Sequence, residues 1–170
     1  MLLQIVDVAF ARPAIDDPEV VDEVLLEEPL VVALPDVDPL AAQSEIALSD
    51  LARRPFVLYP RFPRPSFADA ILRRCAESGF SPIIAHETMD VQTALGLIAA
   101  GAGVSLVPAS VQDAQRLGVA YRPLKAPVPM TRLSLSYRRD NRSATLARFR
   151  TQVKAYVLAR KARDQAPGDV

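Results

Sequence analysis

The segment from residue 55 to residue 108 alternates short apolar runs with amphipathic stretches, and this alternation constrains the fold more than any other feature. The apolar runs, at residues 56–59, 82–86 and 104–107, are typical of buried strands. Residues 66–78 and 91–99 carry apolar side chains at helical spacing, and each stretch is followed by a glycine suited to a helix C-terminus. Strands and helices in this order predict parallel βαβ units with right-handed crossovers.

The flanking segments predict a second, smaller part. A strand is expected at 5–10, an extended run at 24–34 broken by Pro29, an edge strand at 119–123, a strand at 131–137 and a helix at 143–161. Extended crossings near Pro29 and Pro123 bracket the central block, so we predict two α/β lobes joined by two hinge strands, with a ligand cleft between them. The expected divisions are a partial first lobe at 1–28, a second lobe at 29–123, a return to the first lobe at 124–161 and a disordered tail at 162–170.

Composition excludes several classes of protein. The 20 basic and 20 acidic residues give a formal net charge of zero, which argues against wholesale binding to nucleic acid or membranes. One cysteine excludes an intramolecular disulfide, and no apolar run reaches the roughly 18 residues of a membrane span. Since no signal peptide is recognisable either, a cytoplasmic protein is expected.

No set of catalytic residues is recognisable in the sequence. Cys75 lies on the apolar side of a predicted helix, and Ser66 or Ser105 with His86 are the remaining nucleophile–base candidates, neither in a recognisable context. The sequence has no Gly-x-Ser-x-Gly elbow, no metal-ligand cluster and no glycine-rich phosphate loop. We therefore predict that the protein is not an enzyme and has no catalytic residues, no metal and no cofactor.

Four motifs are characteristic of this sequence, namely VDVAFAR at 6–12, LEEPLVVALP at 26–35, FVLYP at 56–60 with PSF at 65–67, and VQTALGLIAAGAGVSLVP at 91–108. In this order and spacing they resemble the effector-binding (substrate-binding) region of LysR-type transcriptional regulators. The resemblance extends from about residue 3 to about residue 161. The Leu-Tyr-Pro and Pro-Ser-Phe variant is similar to the branch of the family that senses muconate and related acids of aromatic catabolism.

The resemblance implies a two-lobe, periplasmic-binding-protein-like (type 2) α/β fold with an incomplete first lobe. The family's winged helix-turn-helix, linker helix and opening βαβ unit have no counterpart in this sequence, so direct contact with nucleic acid is not expected. The implied partners are a small-molecule carboxylate effector and a second copy of the chain or a full-length family member, with no membrane.

The ligand-binding residues are expected in loops at the carboxyl ends of strands. Arg12 offers a bidentate grip on a carboxylate, and Ser66 opens a helix whose free N–H groups favour an anion. Phe67 offers a wall for the ring or diene of a ligand. The complete predicted set is Arg12, Pro65, Ser66, Phe67, Thr88, Gly103 and Val104.

Each of these roles has a simpler alternative. Arg12 would also neutralise the acidic loop around Asp16 and Asp17, Ser66 would serve as a plain N-cap, and Phe67 would pack into the core. At the level of function, the alternatives are a truncated remnant or oligomerisation fragment without ligand binding, and a small α/β enzyme.

Overall fold

The chain divides into two compact units. A computed structural model describes residues 6–60, 62 and 64–164, without the side chains of 161–164. The first unit takes the residues up to Glu27 and from Arg132 onward, and the second unit takes Glu28–Thr131. The units are therefore joined by two chain crossings.

Strands and helices follow one another along the whole described chain. They are β1 (Val8–Ala11), β2 (Val20–Pro35), β3 (Pro55–Leu58), α1 (Phe67–Glu77), β4 (Ile83–Glu87), α2 (Val91–Ala99), β5 (Ser105–Pro108), β6 (Val119–Pro123), β7 (Met130–Arg138) and α3 (Ala144–Asp164). Short 3₁₀ helices occupy Pro39–Ala42, Leu48–Leu51 and Ala109–Ala114.

The first unit is a sheet with strand order β1-β7-β2, covered on one face by α3. β1 pairs antiparallel with β7, from Val8 opposite Tyr137 to Ala11 opposite Ser134. Strand alternation places Phe10 and Tyr137 on the same face, and both meet α3. The Phe10 ring lies edge-on to Phe149 with 6.3 Å between centroids, and the Arg150 guanidinium lies 4.7 Å from the Tyr137 ring centroid.

The second unit contains the predicted parallel core. β3 and β4 are parallel, and a parallel bridge joins Phe56 of β3 to Val104 at the start of β5. β2 then pairs antiparallel with β5 on one side and with β6 on the other. The sheet order is thus β4-β3-β5-β2-β6, and the predicted βαβ arrangement is confirmed.

The core of the second unit forms because each helix has one apolar side. The fully buried side chains of these helices are Ala68, Ile71 and Cys75 of α1 and Ala94, Leu95 and Ile98 of α2. They belong to one cluster with the buried residues of β3 and β5. Burial of this stripe, rather than intrinsic helix propensity, supplies most of the stability of such short helices.

The predicted break at Pro29 is wrong, because β2 runs unbroken through this residue. Proline fixes φ near −65°, which an extended strand accepts, and its missing N–H matters only where a neighbouring strand needs a donor. Backbone hydrogen bonding resumes at the next residue, Leu30, which donates its N–H to the carbonyl of Pro129 at 2.8 Å.

The ends of the predicted segments also differ from the structure. Residues 124–131 belong to the second unit, because the Lys125 N–H bonds to the Ile46 carbonyl at 2.9 Å and Pro129 bonds to Leu30. α3 continues to Asp164, so residues 162–164 of the expected tail are helical. The remainder of that tail, and the expected strand's first residue, Ile5, lie outside the described residues.

Candidate ligand-binding site

Ser66 is the N-cap of α1 and closes the loop that joins β3 to this helix. Its backbone N–H donates to Oδ2 of Asp69 at 2.7 Å, and its hydroxyl donates to the same oxygen at 3.1 Å. Ser66 is only 3% exposed. The N-cap alternative is therefore what the structure shows, and the donors of Ser66 are already used by a carboxylate of the chain itself.

The N-terminus of α1 retains donors beyond Ser66. The first N–H groups of any helix have no intrahelical acceptor, which here applies to Phe67 and Ala68. The helix dipole adds positive potential at the same point. The N–H groups of Phe67 and Ala68 thus have no acceptor within the helix, although both residues are buried.

Thr88 lies at the same edge of the second unit. Its N–H donates to the carbonyl of Leu58 at 2.9 Å, which ties the carboxyl end of β4 to that of β3. Its hydroxyl donates to the carbonyl of Asp90 at 2.9 Å, and the side chain of Asp90 in turn caps α2 by accepting the N–H of Thr93 at 2.9 Å. The structure thus brings Ser66 and Thr88 to one edge, where the hydroxyl group of each already donates to an acceptor within the chain.

Phe67 packs into the core and does not line an open surface. It is buried, and its ring lies 5.6 Å from that of Tyr59, tilted by 44°. Pro65, by contrast, is exposed on the loop that precedes α1. Phe67 therefore fixes the position of the helix N-terminus, whereas Pro65 is accessible from solvent.

Arg64 balances two acids at this edge. It forms an ion pair with Asp69, and its guanidinium lies 3.6 Å from a carboxylate oxygen of Glu87. Burial raises the pKa of Asp69, but the hydrogen bonds from Ser66 and the charge of Arg64 outweigh it, and the pKa lies below its usual range. Asp69 is thus ionised at neutral pH.

Arg12 belongs to the first unit. It follows directly on β1, one residue beyond the pair formed by Ala11 and Ser134. The side chain is half-buried, and its peptide bond to Pro13 is cis. Arg12 thus stands at the carboxyl end of its strand, as expected from the sequence.

Gly103 and Val104 do not lie at the edge formed by Ser66 and Thr88. Val104 precedes β5, and its N–H donates to the carbonyl of Pro55 at 2.8 Å, at the start of β3. A Cβ on Gly103 would lie 2.4 Å from that same carbonyl oxygen. The expectation that this loop sits at the carboxyl ends of the strands is wrong, because β5 is parallel to β3 at this bridge and the loop enters it from the amino end.

Three side chains that organise this edge were missed by the sequence interpretation, namely Arg64, Asp69 and Asp90. Two of them follow a readable pattern. Ser66 and Asp69 have the spacing of a capping box, and Asp90 directly precedes the apolar periodicity of α2. Arg64 carries no such signal, since its ion pairs depend on the path of the loop.

The described residues hold no group of three or more side chains suited to a metal ion. Burial raises the pKa of the Cys75 thiol to about 11, which makes it a poor nucleophile. His86 is exposed on β4. Within the described part of the chain, no helix has both the length and the apolar character needed to cross a membrane.

Sequence comparison relates nearly the whole chain to one family. A model of the LysR substrate binding domain matches residues 1–157. The transcriptional regulator CatR of Pseudomonas putida is 42% identical over 148 residues, which cover 87% of this chain and 51% of CatR. BenM of Acinetobacter baylyi is 36% identical over 135 residues, or 78% of this chain and 44% of BenM. The chain thus spans about half the length of these relatives.

Solved structures agree with this relationship. The effector binding domain of a BenM variant superposes with a TM-score of 0.82 at 32% identity, covering 94% of this chain and 74% of that chain. The BenM effector binding domain with its effector benzoate gives a TM-score of 0.78 at 31% identity, covering 98% and 76%. CbnR, a LysR family transcriptional regulator, gives 0.79 at 29%, covering 91% and 53%. The periplasmic-binding-protein-like (type 2) α/β fold is thereby confirmed, and the chain belongs to the LysR substrate-binding domain family.

Proposed function

We propose that this chain is the effector-sensing domain of a LysR-type transcriptional regulator and binds a small, aromatic-derived organic carboxylate. The observation that carries the proposal is the likeness, over 98% of the chain, to the BenM domain solved with its effector benzoate. The 42% identity with CatR supports the same branch of the family. Such a regulator would act in the cytoplasm.

The chemistry available to an effector carboxylate is a guanidinium and a helix N-terminus. Arg12 supplies two parallel N–H donors, which match the geometry of a carboxylate better than any other side chain. The N–H groups of Phe67 and Ala68 supply donors at the positive end of α1. Since Asp69 already occupies part of that end, we propose that Arg12 of the first unit supplies the principal charge for the effector carboxylate.

The proposal is tested by thermal unfolding of the purified chain with benzoate, cis,cis-muconate and the neutral benzamide. A ligand that binds only the folded chain raises Tm in a concentration-dependent manner. We expect a saturable rise with a carboxylate and none with benzamide, and loss of the rise in Arg12→Gln. Arg73→Gln is the matched control, because Arg73 is exposed on α1 away from its N-terminus.

The alternative of a fragment without ligand binding predicts a different result. No carboxylate would then change Tm, and wild type and Arg12→Gln would behave alike. The enzyme alternative has less support, since the relatives are transcriptional regulators and the thiol of Cys75 is buried with a raised pKa.

We further propose that the chain pairs with a second copy through β4. This strand has β3 as its one partner among the described residues, and its Ile83 and Ile84 are exposed. An edge strand with exposed apolar side chains favours pairing with another chain. Sedimentation equilibrium should show a concentration-dependent dimer that weakens in Ile84→Lys but not in Leu117→Lys, a matched change at a residue exposed outside any strand. A monomer at all concentrations would contradict this pairing.

A further inference from the structure

A groove of about 600 Å³ lies within the second unit, away from the edge that carries Ser66 and Thr88. Its walls are the 3₁₀ helix at Leu48–Leu51, the last turn of α1 and the segment 124–130, which we call the strap. The lining residues are Ala47, Leu48, Ser49, Arg74, Glu77, Ser78, Leu124, Lys125, Ala126, Pro127, Val128, Pro129 and Met130. A volume of this size is in the range of small-molecule sites.

The strap has a fixed backbone. The N–H of Lys125 donates to the carbonyl of Ile46 at 2.9 Å, and the carbonyl of Pro129 accepts the N–H of Leu30 at 2.8 Å. The side chain of Leu124 is buried in the core. The strap is thus anchored at both ends, which makes the groove a preformed feature of the second unit.

The groove combines apolar walls with a net positive charge. Leu48, Val128 and Met130 contribute apolar surface, and Val128 and Met130 are exposed. Its charged side chains are Lys125, Arg74 and Glu77. Arg74 and Glu77 form an exposed ion pair at 2.9 Å, whereas Lys125 has no ion pair within the described residues.

These features identify the class of ligand. An unpaired ammonium beside apolar surface matches a molecule with one negative charge and an apolar body. We propose that the strap groove is a second binding site, for a free organic acid whose carboxylate meets Lys125 and whose apolar part lies against Val128 and Met130. This site is separate from the one in the proposed function, because the two ends of α1 that contribute to them are about 15 Å apart along the helix axis.

The two sites can be observed separately by NMR of the methionine methyl groups in the full chain. Met130 lines the groove, and Met89 lies at the other edge between Thr88 and Asp90, 64% exposed. With 4-phenylbutanoate as the probe, we expect a saturable shift of the Met130 methyl signal. The neutral 4-phenylbutanamide should leave this signal unchanged.

Two matched variants test whether the charge of Lys125 binds the probe. Lys125→Gln should weaken the binding seen at Met130 by about fivefold, the upper range for an exposed charge pair. Arg73→Gln, which removes another exposed cation, outside the groove, should leave it unchanged. Because the Lys125 anchor is its backbone N–H, Lys125→Gln keeps the fold, which the unliganded spectrum verifies.

Three outcomes would overturn the inference. They are a shift at Met89 without one at Met130, no shift at either methionine, and an equal response to the acid and the amide. A failure of the proposed effector site is distinguishable, since it would remove the benzoate or muconate response while leaving the response of Met130 intact.

Discussion

The Asp69 carboxylate accepts both the backbone N–H of Ser66, at 2.7 Å, and its hydroxyl, at 3.1 Å, so the start of α1 already binds an anion of the chain itself. This arrangement stabilises the helix N-terminus and at the same time reduces its remaining attraction for an external carboxylate. Arg64 offsets part of that charge through its ion pair with Asp69. We therefore expect the effector affinity proposed for this edge to depend on Asp69, a residue that need not touch the effector.

Replacement of Asp69 should change the stability of the chain and its affinity for a carboxylate in opposite directions. Asp69→Asn removes the charge and weakens the acceptor of Ser66, and we expect a loss of about 0.5–1 kcal/mol in the free energy of unfolding. Carboxylate affinity should rise in the same variant, because repulsion at the helix end is removed. Chemical denaturation and ligand titration of one preparation measure both quantities. A fall in affinity that follows the fall in stability would contradict this interpretation.

We expect the first unit to lose stability in acid because Glu23 becomes protonated. Burial raises the pKa of Glu23, but hydrogen bonds from Arg150, Lys154 and Tyr137 outweigh it and lower the pKa to about 2 from an ordinary value of 4.5. A carboxyl group whose folded pKa is depressed stabilises the fold above its unfolded pKa and loses that contribution as the pH falls through the folded value. The loss should therefore occur between about pH 5 and pH 2.

Glu23→Gln provides the direct comparison for this effect. At pH 7 it should lower the free energy of unfolding by about 1–2 kcal/mol, because it leaves Arg150 and Lys154 without their common partner. Its stability should also vary less with pH than that of the wild type below pH 5. The matched control is Glu27→Gln, which breaks only the exposed 3.1 Å pair with Arg132 and should cost less than about 0.5 kcal/mol. Equal losses of unfolding free energy in the two variants would contradict the stabilising role given to Glu23.

A methyl group at Gly103 should be poorly tolerated. Gly103 has φ of +155°, and a Cβ there would meet the Pro55 carbonyl oxygen at 2.4 Å, a backbone atom that cannot move aside. Gly103→Ala should lower the free energy of unfolding by about 3 kcal/mol. Gly79→Ala is the control, with φ of +85° but open space around the added methyl, and should cost about 1 kcal/mol. Comparable losses would show that the contact with Pro55 is unimportant.

The single cysteine should react only when the second unit opens. Cys75 is fully buried, and burial raises the pKa of its thiol to about 11. In the native chain, a thiol reagent such as Ellman's should therefore label it far more slowly than in denaturant, at a rate set by local or global unfolding. Fast labelling of the native chain would contradict the packing described for α1.

The regular part of the fold could be predicted because its sequence signals are local. The apolar period of α1 and α2 and the glycines that follow them, Gly79 and Gly101, can be recognised in the sequence without knowing what packs against the helices. The break predicted at Pro29 was wrong because a proline interrupts a strand only where a neighbouring strand needs its missing N–H. Whether such a neighbour exists depends on the tertiary structure. Gly103 was misplaced because its loop enters β5 from the amino end, opposite to Ser66.

The candidate site was only partly predictable for a similar reason. Thr88 could be selected because it directly follows β4, and Ser66 because it begins α1, but the hydrogen bonds that use their donors go to Asp69 and Asp90. Whether a polar side chain is available to a ligand depends on such partners. Arg64, with ion pairs to Asp69 and Glu87, depends on the loop path and had no signal in the sequence.

We expect the chain to recognise a small organic acid by its carboxylate. Isothermal titration with cis,cis-muconate and with its dimethyl ester tests it most directly, because the two ligands share a carbon skeleton and differ in charge. We predict saturable binding of the acid that weakens by at least about tenfold in Arg12→Gln, as expected for loss of a charged hydrogen-bond partner, and no measurable binding of the ester. Binding of acid and ester with equal affinity, or of neither muconate nor benzoate, would contradict the account.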